Sequence, residues 1–205
     1  MELIAVTNGR HNVDMLSRMM VEVEPFVDHF IIRERTKSAI EYIKLIDQLN
    51  TANFNKEKLI INDRVDVAVV AGINKVQLPA HGLILEQVQS CFPYLQAGKS
   101  IHSLEEAEKA HRSGANWLLY GHVYETDCKK GQPARGVEEL KKIAEKVPSD
   151  IYAIGGIKPS HVEELRKIRI KGIAVMSSIF DHANPARAAE EYRDACRSYH
   201  SVERN

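Results

Sequence analysis

The sequence predicts a single closed barrel of eight parallel strands, each followed by a helix. Three observations predict it. Short β-rich apolar runs alternate with helically periodic segments along the whole length, and strict βα alternation builds a parallel sheet. Eight such units of roughly 25 residues fill the chain, which points to a closed barrel rather than an open doubly wound sheet. The last two strand candidates, residues 151–154 and 172–176, each run into small residues, Gly155-Gly156 and Ser177-Ser178. Small residues just past a buried strand let the backbone approach a ligand, and in a βα barrel the phosphate seat lies after the last two strands, beside a short extra helix.

Taken in order, residues 3–6 form the first β run and 13–23 the first periodic helix. Residues 28–32 are β, and 38–49 helical with Ile40, Ile43, Leu45, Ile46 and Leu49 on one side. Residues 59–61, 75–78, 95–100 and 116–120 are the next strands. Between and after them, helices are expected at 65–70, 85–90, 103–112 and 136–146. Ser103 opens the pattern S-L-E-E, a capping box. The strand at 151–154 leads into a helix running to Ile168, with Pro159 near its start. The strand at 172–176 and a helix at 185–199 close the chain. The whole reads as one domain, residues 1–205.

Composition narrows the function classes. The 205 residues are near the lower limit for a complete barrel of this kind. Lysine plus arginine is 28 and aspartate plus glutamate is 28, so the formal net charge is zero and the electrostatic footprint of a nucleic-acid binder is missing. No apolar run approaches membrane-spanning length and no signal segment opens the chain. Cys91, Cys128 and Cys196 are odd in number, far apart and without zinc spacing. A reducing, cytoplasmic setting is expected. The sequence leaves homo-oligomerisation open.

In such a barrel the chemistry sits at strand C-termini. Arg33 and Arg35 are two apart on a strand and point the same way. Their guanidinium forks suit a carboxylate or phosphate, or they pair structurally with Glu34 or Glu41. Asn62-Asp63 ends the third strand. Asp63 can bind magnesium or cap the following helix, and the local pattern favours the cap. No second carboxylate stands at the end of the fourth strand, which reads Gln77-Leu78-Pro79-Ala80-His81-Gly82. His122 ends the sixth strand, opens the longest loop, and neighbours the Gly155-Gly156 strand, a place where imidazole can carry a proton. His102 is a second candidate, though it adjoins the capping box. The stretch Thr126-Asp127-Cys128-Lys129-Lys130-Gly131 is either a polar lid or a solvated loop. No histidine in sequence activates Cys128, so it is not read as a nucleophile.

The runs V-T-N, I-R-E-R, I-I-N-D-R-V-D-V-A, G-K-S-I-H-S-L-E-E-A, T-D-C-K-K-G, A-I-G-G-I and I-A-V-M-S-S-I resemble, in order and over nearly the whole chain, the thiamin phosphate synthase superfamily. The resemblance implies a TIM barrel with a thiazole phosphate pocket at its C-terminal mouth. Its synthase branch joins a thiazole phosphate to a pyrimidine pyrophosphate with magnesium. Several positions depart from that branch. Its Gln-x-Arg-x-Lys becomes Ile31, Arg33 and Arg35. Asp63 matches one magnesium ligand, but the second aspartate falls at Gly82. Thr-x-Thr-Lys becomes Thr126, Asp127, Cys128 and Lys129, and His122 replaces a proline.

That pattern of losses resembles the thiazole tautomerase branch, formerly called TenI regulatory proteins, and implies an isomerase. In it His122 would move a proton on a carboxylated dihydrothiazole phosphate to give the aromatic carboxythiazole phosphate. Gly155, Gly156, Ser177 and Ser178 would seat the phosphate, and Arg33 with the Thr126–Lys129 loop would hold the carboxylate. No metal or organic cofactor is required. The alternatives are a true thiamin phosphate synthase, a transferase, and a non-catalytic regulator. Zero net charge and the lack of a recognition helix weigh against direct DNA binding in the last. The partner expected is the small thiazole phosphate, with no nucleic acid and no membrane.

Overall fold

The fold rests on a computed structural model that describes residues 1–126, 131 and 133–197. The expected barrel is present. Eight parallel strands, β1 (Glu2–Val6), β2 (His29–Ile32), β3 (Leu59–Asn62), β4 (Lys75–Leu78), β5 (Gln96–Ile101), β6 (Trp117–Gly121), β7 (Asp150–Ile154) and β8 (Gly172–Val175), follow one another in sequence order. The barrel closes where β1 pairs with β8, Ile4 lying opposite Ala174. The surrounding helices are α1 (Val13–Val23), α2 (Ala39–Thr51), α3 (Val65–Ala71), α4 (Leu85–Cys91), α5 (Leu104–Arg112), α6 (Val137–Lys146), α7 (Val162–Arg166), the short α8 (Ser177–Phe180) and α9 (Pro185–Arg197).

Strand alternation divides the apolar residues into two bodies. Ile4, Val6, Ile31, Ile60, Trp117, Leu119, Tyr152 and Ala174 fill the barrel interior. Leu3, Ala5, Phe30 and Ile32, one residue out of step, pack outward against Leu16, Met20, Leu45, Leu49 and the other buried helix faces. Helix starts follow capping chemistry. The Asn12 side chain accepts the Met15 amide at 2.8 Å, and Glu41 reaches back to the Ser38 amide at 2.8 Å. At Ser103 the box is shifted. Ser103 accepts the Glu106 amide, but the Glu106 carboxylate bonds the amide of His102, 2.6 Å away.

Two local expectations change. Ile40 is 72% exposed, because the buried face of α2 runs through Tyr42, Leu45, Ile46 and Leu49 and Ile40 lies off it. The segment after β7 is a 3-10 turn, Pro159–His161, followed by only five helical residues, so it ends before Ile168. Gly72 stops α3 in a left-handed cap (φ 65°), which only glycine adopts without strain. Cys91 and Cys196 are free thiols, and Cys128 lies outside the described residues. Among the described residues no helix is long and apolar enough to cross a membrane.

Candidate active site at the barrel mouth

The strand C-termini open into a cavity of about 1360 Å³. Its floor is the top of the interior core: Val6, Ile31, Leu119, Ile154, Ala174 and Met176. Arg33 shares the parity of Ile31 and rises from that floor into the cavity, its amide donating to Thr7 Oγ1 at 2.8 Å. Arg35 does not continue the alternation. β2 has ended at Ile32, and Arg35 sits exposed in the turn before α2, at the cavity rim.

Between the two arginines, Glu34 is buried. Its carboxylate accepts the Gly9 amide at 3.1 Å and pairs with Lys37 at 2.7 Å, while Lys37 also donates to the His11 carbonyl at 2.6 Å. The Glu34 amide donates to Tyr42 Oη at 2.9 Å. Burial first, then the Glu34 charge, raises the Tyr42 pKa, against the lowering effect of the Glu34 amide bond. A buried charge persists only when paired and hydrogen-bonded, and these contacts meet that demand while tying the first two βα loops together. Sequence reasoning passed over this latch because Glu34 reads as one charge in a charged run.

Asp63 lines the cavity, but not as the expected helix cap. Its backbone is left-handed (φ 66°), its amide donates to the Gln77 carbonyl at 2.9 Å, and Arg64 takes the cap position without a side-chain bond. Aspartate tolerates that conformation better than most residues, so the chain turns one residue early and leaves the carboxylate at the cavity wall.

His122 directly follows β6 and is 5% exposed. Its Nε2 lies 3.0 Å from the Pro133 carbonyl, which can only accept, so Nε2 carries a proton. The Arg135 amide returns to the His122 carbonyl at 3.0 Å, closing the base of the long loop. A Cβ on Gly155 would lie 2.4 Å from the His122 Cβ, so histidine and glycine pair are in direct contact, as the strand order suggested. Gly155 (φ 104°) and Gly156 (φ 67°) face the cavity together with Ser177 and Ser178, which open α8 directly after β8. His102 also lines the cavity. Its Nδ1 is 3.3 Å from Glu106 and its carbonyl accepts Arg135 at 2.9 Å. Thr126 is on the wall; Asp127, Cys128 and Lys129 lie outside the described residues.

One cavity therefore joins the small residues after β7 and β8 to a polar sector of Arg33, Asp63, Ser100 and His102. The family model described as thiamine monophosphate synthase matches residues 3–179. The thiamine-phosphate synthase of Pyrococcus furiosus is 38% identical over 133 residues, 65% of this chain, and the matched stretch spans 64% of the relative's own length. That of Clostridium tetani is 35% identical over 167 residues, 78% of each chain. The solved thiamine phosphate pyrophosphorylase from Pyrococcus furiosus superposes with a TM-score of 0.80 at 30% identity over 95% of both chains. A 3-hexulose-6-phosphate synthase, at 16% identity and TM-score 0.75 over 95% of this chain and 99% of its own, shares the fold. These findings overturn the tautomerase expectation, because the relatives at these identities are named synthases. The expectation leaned on the departures at Ile31, Arg35, Gly82 and the Thr126–Lys129 run and on His122 in place of a proline, yet Arg33, Asp63 and Thr126 still line one cavity.

Proposed function

The chain belongs to the thiamine monophosphate synthase family, and from that premise we propose that it is a transferase that joins a thiazole phosphate to a pyrimidine pyrophosphate and releases pyrophosphate. The observation that carries this reading is one cavity lined both by the small residues after β7 and β8 and by Arg33, Asp63 and Ser100. About 1360 Å³ exceeds what one small ligand fills, so two phosphate-bearing substrates can lie side by side.

In this reading the thiazole phosphate sits on the glycine pair and the two serines. Gly155 and Gly156 bring bare backbone to the phosphate, and Ser177 and Ser178 add hydroxyls and amides from the other side. Arg33 meets the pyrophosphate of the second substrate, its guanidinium suited to two phosphate oxygens at once. His122 forms the wall between the seat and the long loop, donating to Pro133.

Magnesium is the metal the family implies, and the residues present fit it in reduced form. Asp63 is one exposed carboxylate on the cavity wall, and magnesium is commonly held by one or two carboxylates with substrate phosphates completing its shell. Bound there, it would offset the charge that builds on the departing pyrophosphate. Holding both substrates in one cavity turns a bimolecular encounter into a positioned one. The test is direct: thiazole phosphate and pyrimidine pyrophosphate are mixed with the protein and released pyrophosphate is measured with and without magnesium. Magnesium-dependent release is expected; none over many hours rejects the transferase.

A further inference from the structure

Inside the barrel, beneath the mouth, three side chains form a one-way hydrogen-bond relay. Gln77 on β4, Gly98 on β5 and Trp117 on β6 lie side by side in register. Gly98 has no side chain, and a Cβ there would lie 2.0 Å from the Trp117 indole nitrogen. The indole therefore folds across the vacant position and donates to Gln77 Oε1 at 2.7 Å, two strands away. From the other end of the amide, Gln77 Nε2 reaches Ser100 Oγ at 3.1 Å. Ser100 lines the cavity.

The direction of this relay follows from donor chemistry. An indole N–H donates and cannot accept, so the Gln77 oxygen must face Trp117 and its nitrogen must face Ser100. Gln77 is fully buried, so no water competes for either end. Because the amide nitrogen only donates, Ser100 Oγ accepts from below. Its own hydrogen is then excluded from that direction, and among the described residues no acceptor takes it. The hydroxyl is left to point its proton into the mouth.

We propose that Gln77, backed by Trp117, is a positioning residue that fixes the Ser100 hydroxyl as a hydrogen-bond donor to the pyrophosphate group. The inference rests on the transferase reading of the mouth. Ser100 is placed on the pyrophosphate side by its partner: Gln77, which bonds it, also accepts the Asp63 amide at its backbone carbonyl at 2.9 Å, so the relay and Asp63 share the β3–β4 side of the mouth. A serine free to rotate would offer a lone pair to the anion part of the time; the relay removes that option before the ligand arrives.

The test uses binding of magnesium pyrophosphate and, separately, of thiazole phosphate, measured by calorimetry on the intact protein. Gln77→Met is expected to weaken pyrophosphate about three- to tenfold and Ser100→Ala about tenfold or more, with thiazole phosphate unchanged in both. The double variant should be no weaker than Ser100→Ala alone, because Gln77 acts only through Ser100. Trp117→Phe, far below the mouth, frees the amide to flip and should reproduce part of the Gln77→Met loss, which covers the case in which Gln77→Met does not fold. The chain has one tryptophan, so its single indole N–H resonance should shift when pyrophosphate saturates the wild type. Unchanged pyrophosphate affinity in the folded Gln77 and Trp117 variants, additive losses in the double variant, or equal losses for both ligands overturns the relay. Wild-type protein that binds neither compound overturns the transferase reading and the relay with it.

Discussion

A methyl group placed on Gly82 would sit 2.9 Å from Oδ1 of Asp63 and equally close to Cδ of Pro79. The position where the family pattern has its second aspartate is thus pressed against the first. The carboxylate could swing aside, but the proline ring cannot, so a side chain at Gly82 must move the β4–α4 loop. Gly82→Asp is therefore expected to lower magnesium-dependent pyrophosphate release rather than raise it, with stability lower by about 1–3 kcal/mol. Asp63→Ala should cost about 10²–10³ in turnover, as loss of a single charge-stabilising group typically does. Titrating magnesium against the rate of pyrophosphate release checks both. Faster release by Gly82→Asp would show that the loop accommodates the aspartate and that the site wants two carboxylates.

The proposed thiazole phosphate seat makes a sharper demand at Gly156. A Cβ there would lie 2.3 Å from the Glu125 carbonyl and 2.8 Å from that of Tyr124, and its φ of 67° disfavours any side chain. Both obstacles are backbone and cannot rotate away. Gly156→Ala should destabilise the fold by about 2 kcal/mol or more and weaken thiazole phosphate at least about tenfold. Ser178→Ala removes only a hydroxyl from the same seat and should keep full stability with a milder loss of affinity. Thermal melts and calorimetry on the two variants separate seat from scaffold. Equal affinity in Gly156→Ala and wild type would move the phosphate elsewhere.

The barrel was legible in the sequence because each of its signals is local. Residues 3–6 and 151–154 carry β-rich runs with small or polar residues just beyond, and Ser38 and Ser103 announce helices three residues ahead of a glutamate. His122 and Gly155 came together as expected because neighbouring strands of a sequential barrel must bring their ends together. What stayed hidden depends on contacts distant in sequence. The Trp117–Gln77 bond spans 40 positions and requires Gly98 to be empty between them, which no periodicity reveals. The Glu34–Lys37 pair looks in sequence like ordinary surface charge and is buried only because the first two loops fold over it. Asp63 misled through its best-known habit: it precedes a helix but turns left-handed one residue too early to cap it. The tautomerase reading weighed the missing side chains and the added His122 more than Arg33, Asp63 and Thr126, still present at the mouth.

Tyr120 is buried completely on the outer face of β6, and among the described residues its hydroxyl has no hydrogen-bond partner. An unsatisfied buried hydroxyl costs free energy that a benzene ring of the same shape does not. Tyr120→Phe is therefore expected to stabilise the protein by about 1 kcal/mol, read as a higher urea midpoint at unchanged slope. Destabilisation by a similar amount would mean that the hydroxyl has found a water or another partner.

The same burial makes the fold sensitive to alkali. Desolvation is the first cause raising the pKa of Tyr42, Tyr120, Tyr152 and Tyr192, in Tyr120 to about 12, and Tyr152 is pushed further by the Glu2 carboxylate it bonds at 2.5 Å. Below the ordinary tyrosine pKa, about 10, these phenols are neutral folded or unfolded and contribute no pH dependence. Above it the unfolded chain ionises while the folded chain holds its protons, so unfolding releases protons and stability falls with rising pH. Each such tyrosine contributes up to about 1.4 kcal/mol per pH unit until its folded pKa is passed. The stability curve should be flat with respect to these groups up to about pH 10 and then drop steeply. Tyrosinate absorbance should lag behind free tyrosine and rise together with loss of the far-ultraviolet helix signal. Tyr120→Phe, with one buried phenol fewer, should shift that collapse to higher pH. Early, unfolding-independent ionisation of these tyrosines would show that solvent reaches them in the native barrel.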